Sequence, residues 1–283
     1  MSLSPATFAG LGAILLWGLL ALLTAATDGV PPFLLTALTF AMGGGAGLIW
    51  LIARGQLHLM RQPPAAWLLG VGGLFGYHAV YFAALKTAPP AEASLIAYLW
   101  PLLIVLFSGL LPGEKLTTKH VLGAVLGFGG VLVLALAKGG IGTSGNLPIL
   151  GYTLALACAF IWAIYSVLSR RMADVPTEAV VGFCLVTAIL ALMAHLALEP
   201  RGLPTSPATW AAIAALGLGP VGAAFFLWDI GMKRGDIRFL GVASYAAPVI
   251  STLALIVAGR AEASLGLLIA CGLIVGGALI ARK

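Results

Sequence analysis

The chain has 283 residues, 61% of them hydrophobic and only 8% charged, with a formal net charge of +6 and a mean hydropathy of +1.10. A soluble domain carries about 25% charge, so this chain has too few ionic groups to coat a water-facing globule, and its solvent is mostly lipid. The basic balance does not point to nucleic acid, because the Lys and Arg sit in short gaps between apolar runs, where such charges orient spans.

In hydrocarbon every backbone N–H and C=O needs an internal partner, so only helices or closed barrels cross. Barrel strands alternate over about 10 residues, whereas these segments stay apolar for about 20, the length a helix needs. Ten runs follow in chain order: 5–26, 32–53, 65–86, 91–111, 118–137, 147–169, 178–197, 208–232, 238–258 and 263–281. The expected fold is an all-α membrane protein of ten transmembrane helices. The first run lacks a basic flank and is too long for a signal-peptide core, which predicts a retained span. Turn chemistry separates the runs at Pro31-Pro32, Pro63-Pro64, Pro89-Pro90, Pro112-Gly113 and Gly139-Gly140. The longest gap, Lys138 to Pro148, falls at the midpoint and divides the chain into a first five-helix unit, 1–138, a linker, 139–146, and a second unit, 147–283. Cys158, Cys184 and Cys271 all lie in apolar runs, as free packing thiols do.

With the N-terminus inside, eleven Lys and Arg fall on the cytoplasmic side and four (Lys86, Lys138, Arg201, Arg260) outside. That bias predicts both termini in the cytoplasm and a bacterial inner-membrane location.

The chain also repeats itself. A slide of 145 residues brings Leu11 onto Leu156, Trp17 onto Trp162 and Val30-Pro31 onto Val175-Pro176. A slide of 147 brings Gly70 and Gly72 onto Gly217 and Gly219, Lys86 onto Lys233, Tyr98 onto Tyr245, Pro101 onto Pro248 and Gly129-Gly130 onto Gly276-Gly277. An odd number of spans per half means the second half enters from the opposite side, so the repeats are inverted. Secondary transporters recurrently use this plan, with the substrate near the midplane between the halves; a central cavity is expected there.

The stretches AEASLIAYLWPLLIVLFSGLLPGEKLTTKHVLGAVLGFGGVLV and SYAAPVISTLALIVAGRAEASLGLLIACGLIVGGALI resemble the drug/metabolite transporter superfamily, EamA branch, over nearly the whole chain. The family's helix proline, following glutamate and glycine ladder match Pro101, Glu114, Gly123, Gly127 and Gly130. In the second half Pro248 matches, but the glutamate falls at Glu262, one place off register. The aromatic content of the central segments is most similar to the bacterial aromatic amino-acid exporters of that branch.

Four groups of residues are candidates for function. Pro101 and Pro248 each remove a helical hydrogen bond and crowd the carbonyl four residues back, at Ala97 and Ser244, which suits a hinge or gate; a static kink is the plain alternative. Deep aromatics come second. His78 and Tyr81 share a face, as do their equivalents Phe225 and Trp228. Trp162 and Tyr165 share another, Trp17 is the equivalent of Trp162, and Tyr98, Trp100 and Tyr245 flank the prolines. These ten are expected to line a substrate cavity, while Trp50, Trp67 and Trp210 suit an interfacial belt.

Intramembrane ionisable groups come third. Asp229 and His78 are the candidates for proton coupling, although Lys233, four residues on, can simply pair with Asp229. His195 is expected at the interface, and Glu92 and Asp236 at helix starts. The small-xxx-small pairs Gly43/Gly47, Gly72/Gly76, Gly123/Gly127 and Gly272/Gly276 are expected chiefly to pack helices within the chain. A chain that supplies both halves of its own pseudo-symmetric pair is expected to work as a monomer. No metal-ligand cluster, phosphate loop or dinucleotide fingerprint is present, so no cofactor is expected.

The sequence thus predicts a secondary transporter exporting small amphipathic metabolites, aromatic and other neutral amino acids foremost, by alternating access. A drug exporter of the same fold would need a buried acid, for which Asp229 is the candidate. A membrane-embedded enzyme is the remote alternative, since Gly142-Thr143-Ser144-Gly145 reads as a serine motif only in a polar linker.

Overall fold

The computed structural model describes residues 3–137, 148–259 and 262–281, so the predicted linker, with its Gly142–Gly145 sequence, lies outside the described residues. Among the described residues nine helices are long and apolar enough to cross a membrane: Pro5–Thr27, Pro32–Ala53, Pro64–Thr87, Pro90–Ser108, Thr118–Ala137, Ile149–Arg171, Ala179–Leu198, Pro207–Arg234 and Ile237–Val257. A shorter apolar helix, Leu265–Ala281, follows. These are the first to tenth spans below.

Prolines open five of the spans, at Pro5, Pro32, Pro64, Pro90 and Pro207. A first-turn N–H has no helical acceptor in any case, so its loss there is harmless. The ninth span starts on Asp236, whose carboxylate accepts from the N–H groups of Arg238 and Phe239. The fourth span stops at Ser108, short of the predicted 111, because the chain turns through Gly109–Gly113, where Gly113 is left-handed at φ +80.

Four spans are irregular. The first breaks at Leu19, and the fourth divides into Pro90–Ala97 and Trp100–Ser108. The ninth divides into Ile237–Ala243 and Ala246–Val257, and the eighth contains a π-helical turn at Gly219–Ala223. Pro101 and Pro248 therefore begin new helical segments just after the breaks, where a proline is tolerated, rather than kinking continuous helices.

The packing partners reveal the symmetry. The second span packs on the seventh, the fifth on the tenth, the third on the sixth and the first on the eighth. Exchanging the two halves maps the second–seventh and fifth–tenth contacts onto themselves, and the third–sixth contact onto the first–eighth. Five spans per half give the halves opposite insertion. The fold is thus two inverted five-helix repeats, interlocked so that all four of these contacts join one half to the other.

Glycine makes the self-paired contact of the fifth and tenth spans possible. A Cβ on Gly123 would lie 2.6 Å from the Gly277 carbonyl oxygen, and one on Gly130 would lie 3.0 Å from that of Ala270. Those two contacts are repeat equivalents. Gly43 sits as closely on the Gly217 carbonyl and on Gly222. Not every small-residue pair serves internal packing, however. Gly72, Gly272 and Gly276 have nothing within 4 Å of an added Cβ, and Gly76 has one atom at 3.9 Å. Of these, Gly72 and Gly272 are exposed.

Two side chains expected at the interface lie in end turns of their spans and also pack inward. The Trp67 ring packs edge-on to Phe183 and fills the space over Gly182. His195 is buried. It lies 2.9 Å from Glu199, whose carboxylate accepts from the N–H groups of Phe33 and Leu34 and so caps the second span from across the repeat boundary.

Gly123→Leu forces a side chain into the Gly277 backbone and should lower stability by about 1–3 kcal/mol, the usual penalty for overpacking. Gly129→Leu, which points into open space, should change it by less than about 0.5 kcal/mol. Melting temperatures of the two purified variants in the same detergent check this.

Candidate substrate site

The expected aromatics converge where the first, third, fourth, sixth and eighth spans meet. The Trp17 ring lies 6.3 Å from Trp100, 5.6 Å from Trp162, 6.1 Å from Phe225 and 5.0 Å from Trp228, centroid to centroid. Trp162 continues to Tyr165 at 5.3 Å. Most of these pairs are edge-to-face or tilted, the arrangement the ring quadrupole favours. The first and sixth spans deliver Trp17 and Trp162 as repeat equivalents, one from each half.

His78 and Tyr81 join this group through a residue that the sequence reading passed over. Tyr77 stacks on Tyr81 at 5.9 Å and touches both His78 and Trp162. Its repeat equivalent is Ala224, so matching aromatics between halves does not flag it. Phe40 is a second such residue, stacked on Phe225 and edge-on to His78. The signal that marks Tyr77 is its i, i+4 spacing with Tyr81.

Tyr98 and Tyr245 are not brought into this ring network. Tyr245 is fully buried in a second apolar cluster between the fifth, ninth and tenth spans, its ring over Gly127. Its hydroxyl accepts from the N–H of Leu102, the residue after Pro101, at 3.1 Å. That N–H is left over by the break in the fourth span, and Tyr245 supplies its partner. The repeat-equivalent bond, from Tyr98 to the Val249 N–H, is not formed. Tyr98 is half-buried at the edge of the second cluster, and its hydroxyl has no hydrogen bond among the described residues.

Some polar atoms of the box are committed and some are free. Trp17 donates to the Pro220 carbonyl in the π turn of the eighth span, and Trp228 donates to the Ser166 hydroxyl. Tyr81 bonds Ser94. His78 Nδ1 lies 2.7 Å from the Leu74 carbonyl, which only accepts, so Nδ1 carries the proton and a neutral ring leaves Nε2 as an acceptor. The indole N–H groups of Trp100 and Trp162 have no partner among the described residues, yet neither is fully enclosed, while the Tyr77 hydroxyl meets the Cys158 thiol. An apolar box with unpaired but reachable polar groups is a place built to be completed by a ligand.

Asp229 follows Trp228 but faces elsewhere. Its carboxylate meets Lys233 at 2.9 Å and accepts from the Thr177 hydroxyl at 2.6 Å, while Lys233 also donates to the Val175 carbonyl. The pair is buried and borders a recess of about 20 Å³, which Tyr165 and Ser169 also line. Such a recess has room for a water. Among the described residues no three His, Cys, Asp or Glu side chains group as metal ligands.

The EamA-like transporter family profile matches residues 4–136 and again residues 149–282. The chain belongs to the EamA-like transporter family. It is 59% identical, over 99% of its length and 98% of the relative's, to a protein of Ancylobacter novellus named aromatic amino acid exporter YddG. Proteins of the same name from Salmonella typhimurium and Escherichia coli are 29% and 28% identical over 89% of this chain and 88% of theirs. A solved crystal structure matches with a TM-score of 0.95 at 59% identity, covering 99% of this chain and 97% of its own. Within this family of transporters, then, the two profile matches coincide with the interlocked halves, and the ring network lies between them.

The two repeat-related tyrosines should separate stability from transport. Tyr245→Phe leaves the Leu102 N–H unpaired and should destabilise the protein by about 1–3 kcal/mol. Tyr98→Phe removes a hydroxyl without a bond and should leave stability within about 0.5 kcal/mol of the parent. Unfolding of both variants in one detergent measures the difference.

Proposed function

We propose that the protein exports aromatic and other neutral amino acids across the bacterial inner membrane, with both termini in the cytoplasm, by alternating access about the breaks at Pro101 and Pro248. The observation that carries this reading is the box of Trp17, Trp100, Trp162, Phe225, Trp228 and Tyr77 at the junction of the halves. Ring faces accommodate an aromatic side chain and attract an ammonium group. The free indole N–H groups can donate to a carboxylate. The box itself holds no carboxylate, ammonium or guanidinium group, so a zwitterion brings its own charge balance, whereas a side chain with an extra charge would stay unpaired. Tyr98, at the edge of the second cluster, completes the proposed lining from the fourth span. Names of close relatives agree with this substrate class.

A cationic-drug exporter needs an available acid, and Asp229 is held by Lys233 and Thr177. The same pair, beside a water-sized recess, is the proposed place for proton coupling, with His78 as the group nearer the substrate. Both halves being in one chain, the proposed working unit is the monomer.

Reconstitution into liposomes tests each element. Saturable flux of labelled phenylalanine and tryptophan is expected, with lysine and glutamate carried far more slowly. Trp162→Ala should lower aromatic flux at least about tenfold, since it removes a packed ring and an N–H donor together. Equal rates for phenylalanine and glutamate, or no saturable flux, would sink the substrate assignment. Asp229→Asn should abolish accumulation driven by a pH gradient while sparing downhill flux; a parent protein indifferent to that gradient removes the coupling element alone.

A further inference from the structure

Under the repeat, the segment Trp100–Ser108 of the fourth span corresponds to Ala246–Val257 of the ninth, and Pro90–Ala97 corresponds to Ile237–Ala243. On the face that carries the termini, Trp100–Ser108 packs against Ile237–Ala243. The seam is tight: a Cβ on Gly241 would lie 2.8 Å from the Val105 side chain and 3.3 Å from the Pro101 carbonyl oxygen. The equivalent seam on the opposite face would join Pro90–Ala97 to Ala246–Val257, with Ser94 in the place of Gly241 and Thr252 in that of Val105. These segments do not pack together to any comparable extent. The fourth–ninth seam is closed on one face only.

The closed seam is bridged by ions. Glu114, in the loop after the fourth span, meets Arg170 of the sixth span at 2.6 Å and Arg238 of the ninth at 3.4 Å. Arg170 also donates to the carbonyls of Met232 and Gly235 at the end of the eighth span, and Arg238 to that of Lys115. One carboxylate of the first half thus holds two guanidinium groups of the second, and one of those holds the open end of a third helix. All three side chains are largely buried, between 13% and 25% exposed. Among the described residues the open seam has no such device. The repeat equivalents of Arg170 and Arg238 are Ala25 and Ala91, and Glu262, one place off the equivalent of Glu114, is exposed and has no ion pair among the described residues.

We propose that Glu114, Arg170 and Arg238 are gating residues: an ionic latch that holds the termini face shut and sets the resting conformer, with no counterpart among the described residues of the other face. The proposal rests on the alternating-access reading but not on any substrate. Breaking the latch shifts the population toward the conformer that is open on the termini face, closing Ser94 against Thr252 as Gly241 now closes against Val105.

Thiol accessibility measures both seams. Single reporters, Val105→Cys on the closed seam and Ser94→Cys on the open one, are labelled with a membrane-impermeant maleimide in vesicles of each orientation, without substrate. The reporter-free protein, which keeps Cys158, Cys184 and Cys271, is the baseline. Adding Glu114→Gln should raise labelling of Val105→Cys about tenfold, as loss of a charge-assisted hydrogen bond implies, and should lower labelling of Ser94→Cys. Arg238→Gln should act in the same direction, and high salt should weakly reproduce it in the parent. Unchanged labelling at both reporters, or a rise at both together, overturns the latch. Saturable aromatic flux with unchanged labelling would count against the latch alone, whereas reciprocal labelling without flux would count against the substrate reading alone.

Discussion

An unpaired backbone N–H or C=O in hydrocarbon costs several kcal/mol, and the irregular points of this bundle are where a partner other than the helix meets that demand. The break in the fourth span leaves the Leu102 N–H, which Tyr245 takes. The π turn of the eighth span leaves the Pro220 carbonyl, which Trp17 takes. The start of the second span offers the N–H groups of Phe33 and Leu34 to Glu199. The end of the eighth gives the carbonyls of Met232 and Gly235 to Arg170. In the first three of these cases the partner comes from the other half of the chain. The bonds that make irregular backbone tolerable in lipid are therefore also bonds that couple one repeat to the other.

This coupling explains how two related halves produce an unsymmetrical molecule. Tyr98 and Tyr245 are equivalent in sequence, yet only Tyr245 meets a glycine, Gly127, over which its ring can lie flat. The equivalent of Gly127 is Ile274, which leaves no such slot for Tyr98. One tyrosine thus becomes part of the scaffold, and the other keeps a hydroxyl that transport can use. The sharing of Trp17 and Trp162 follows the same logic. Both enter the box, but only Trp17 finds a carbonyl for its N–H, because only the eighth span is widened at the corresponding place.

Much of the scaffold was legible in the sequence, since it depends on quantities that composition records: twenty-residue apolar runs, first-turn prolines and a repeat with an odd span count. The ring network was legible where aromatics recur in both halves, as with Trp17 and Trp162 or Tyr81 and Trp228. It was not legible at Tyr77, whose equivalent is an alanine and whose place depends on how the third span meets the sixth. The glycine pairs show the same limit. Spacing alone does not distinguish Gly123, pressed on Gly277, from Gly272, which meets nothing, because that depends on the rotation of each helix about its axis. The ion pairs between distant segments, Glu114 with Arg170 and Arg238, leave no trace in spacing at all, whereas His195 and Glu199 stand only four residues apart.

The π turn at Gly219–Ala223 has a consequence for that rotation. A single residue taken up in a wide turn swings everything beyond it by about 100°. The eighth span is therefore two helices of different phase on one axis. Its Pro207–Leu218 part is registered to the second span and its Ala224–Arg234 part to the first and sixth. Phe225 and Trp228 face the box by virtue of that phase step, so the direction in which the site looks is encoded in a count of residues and not in the identity of any one of them.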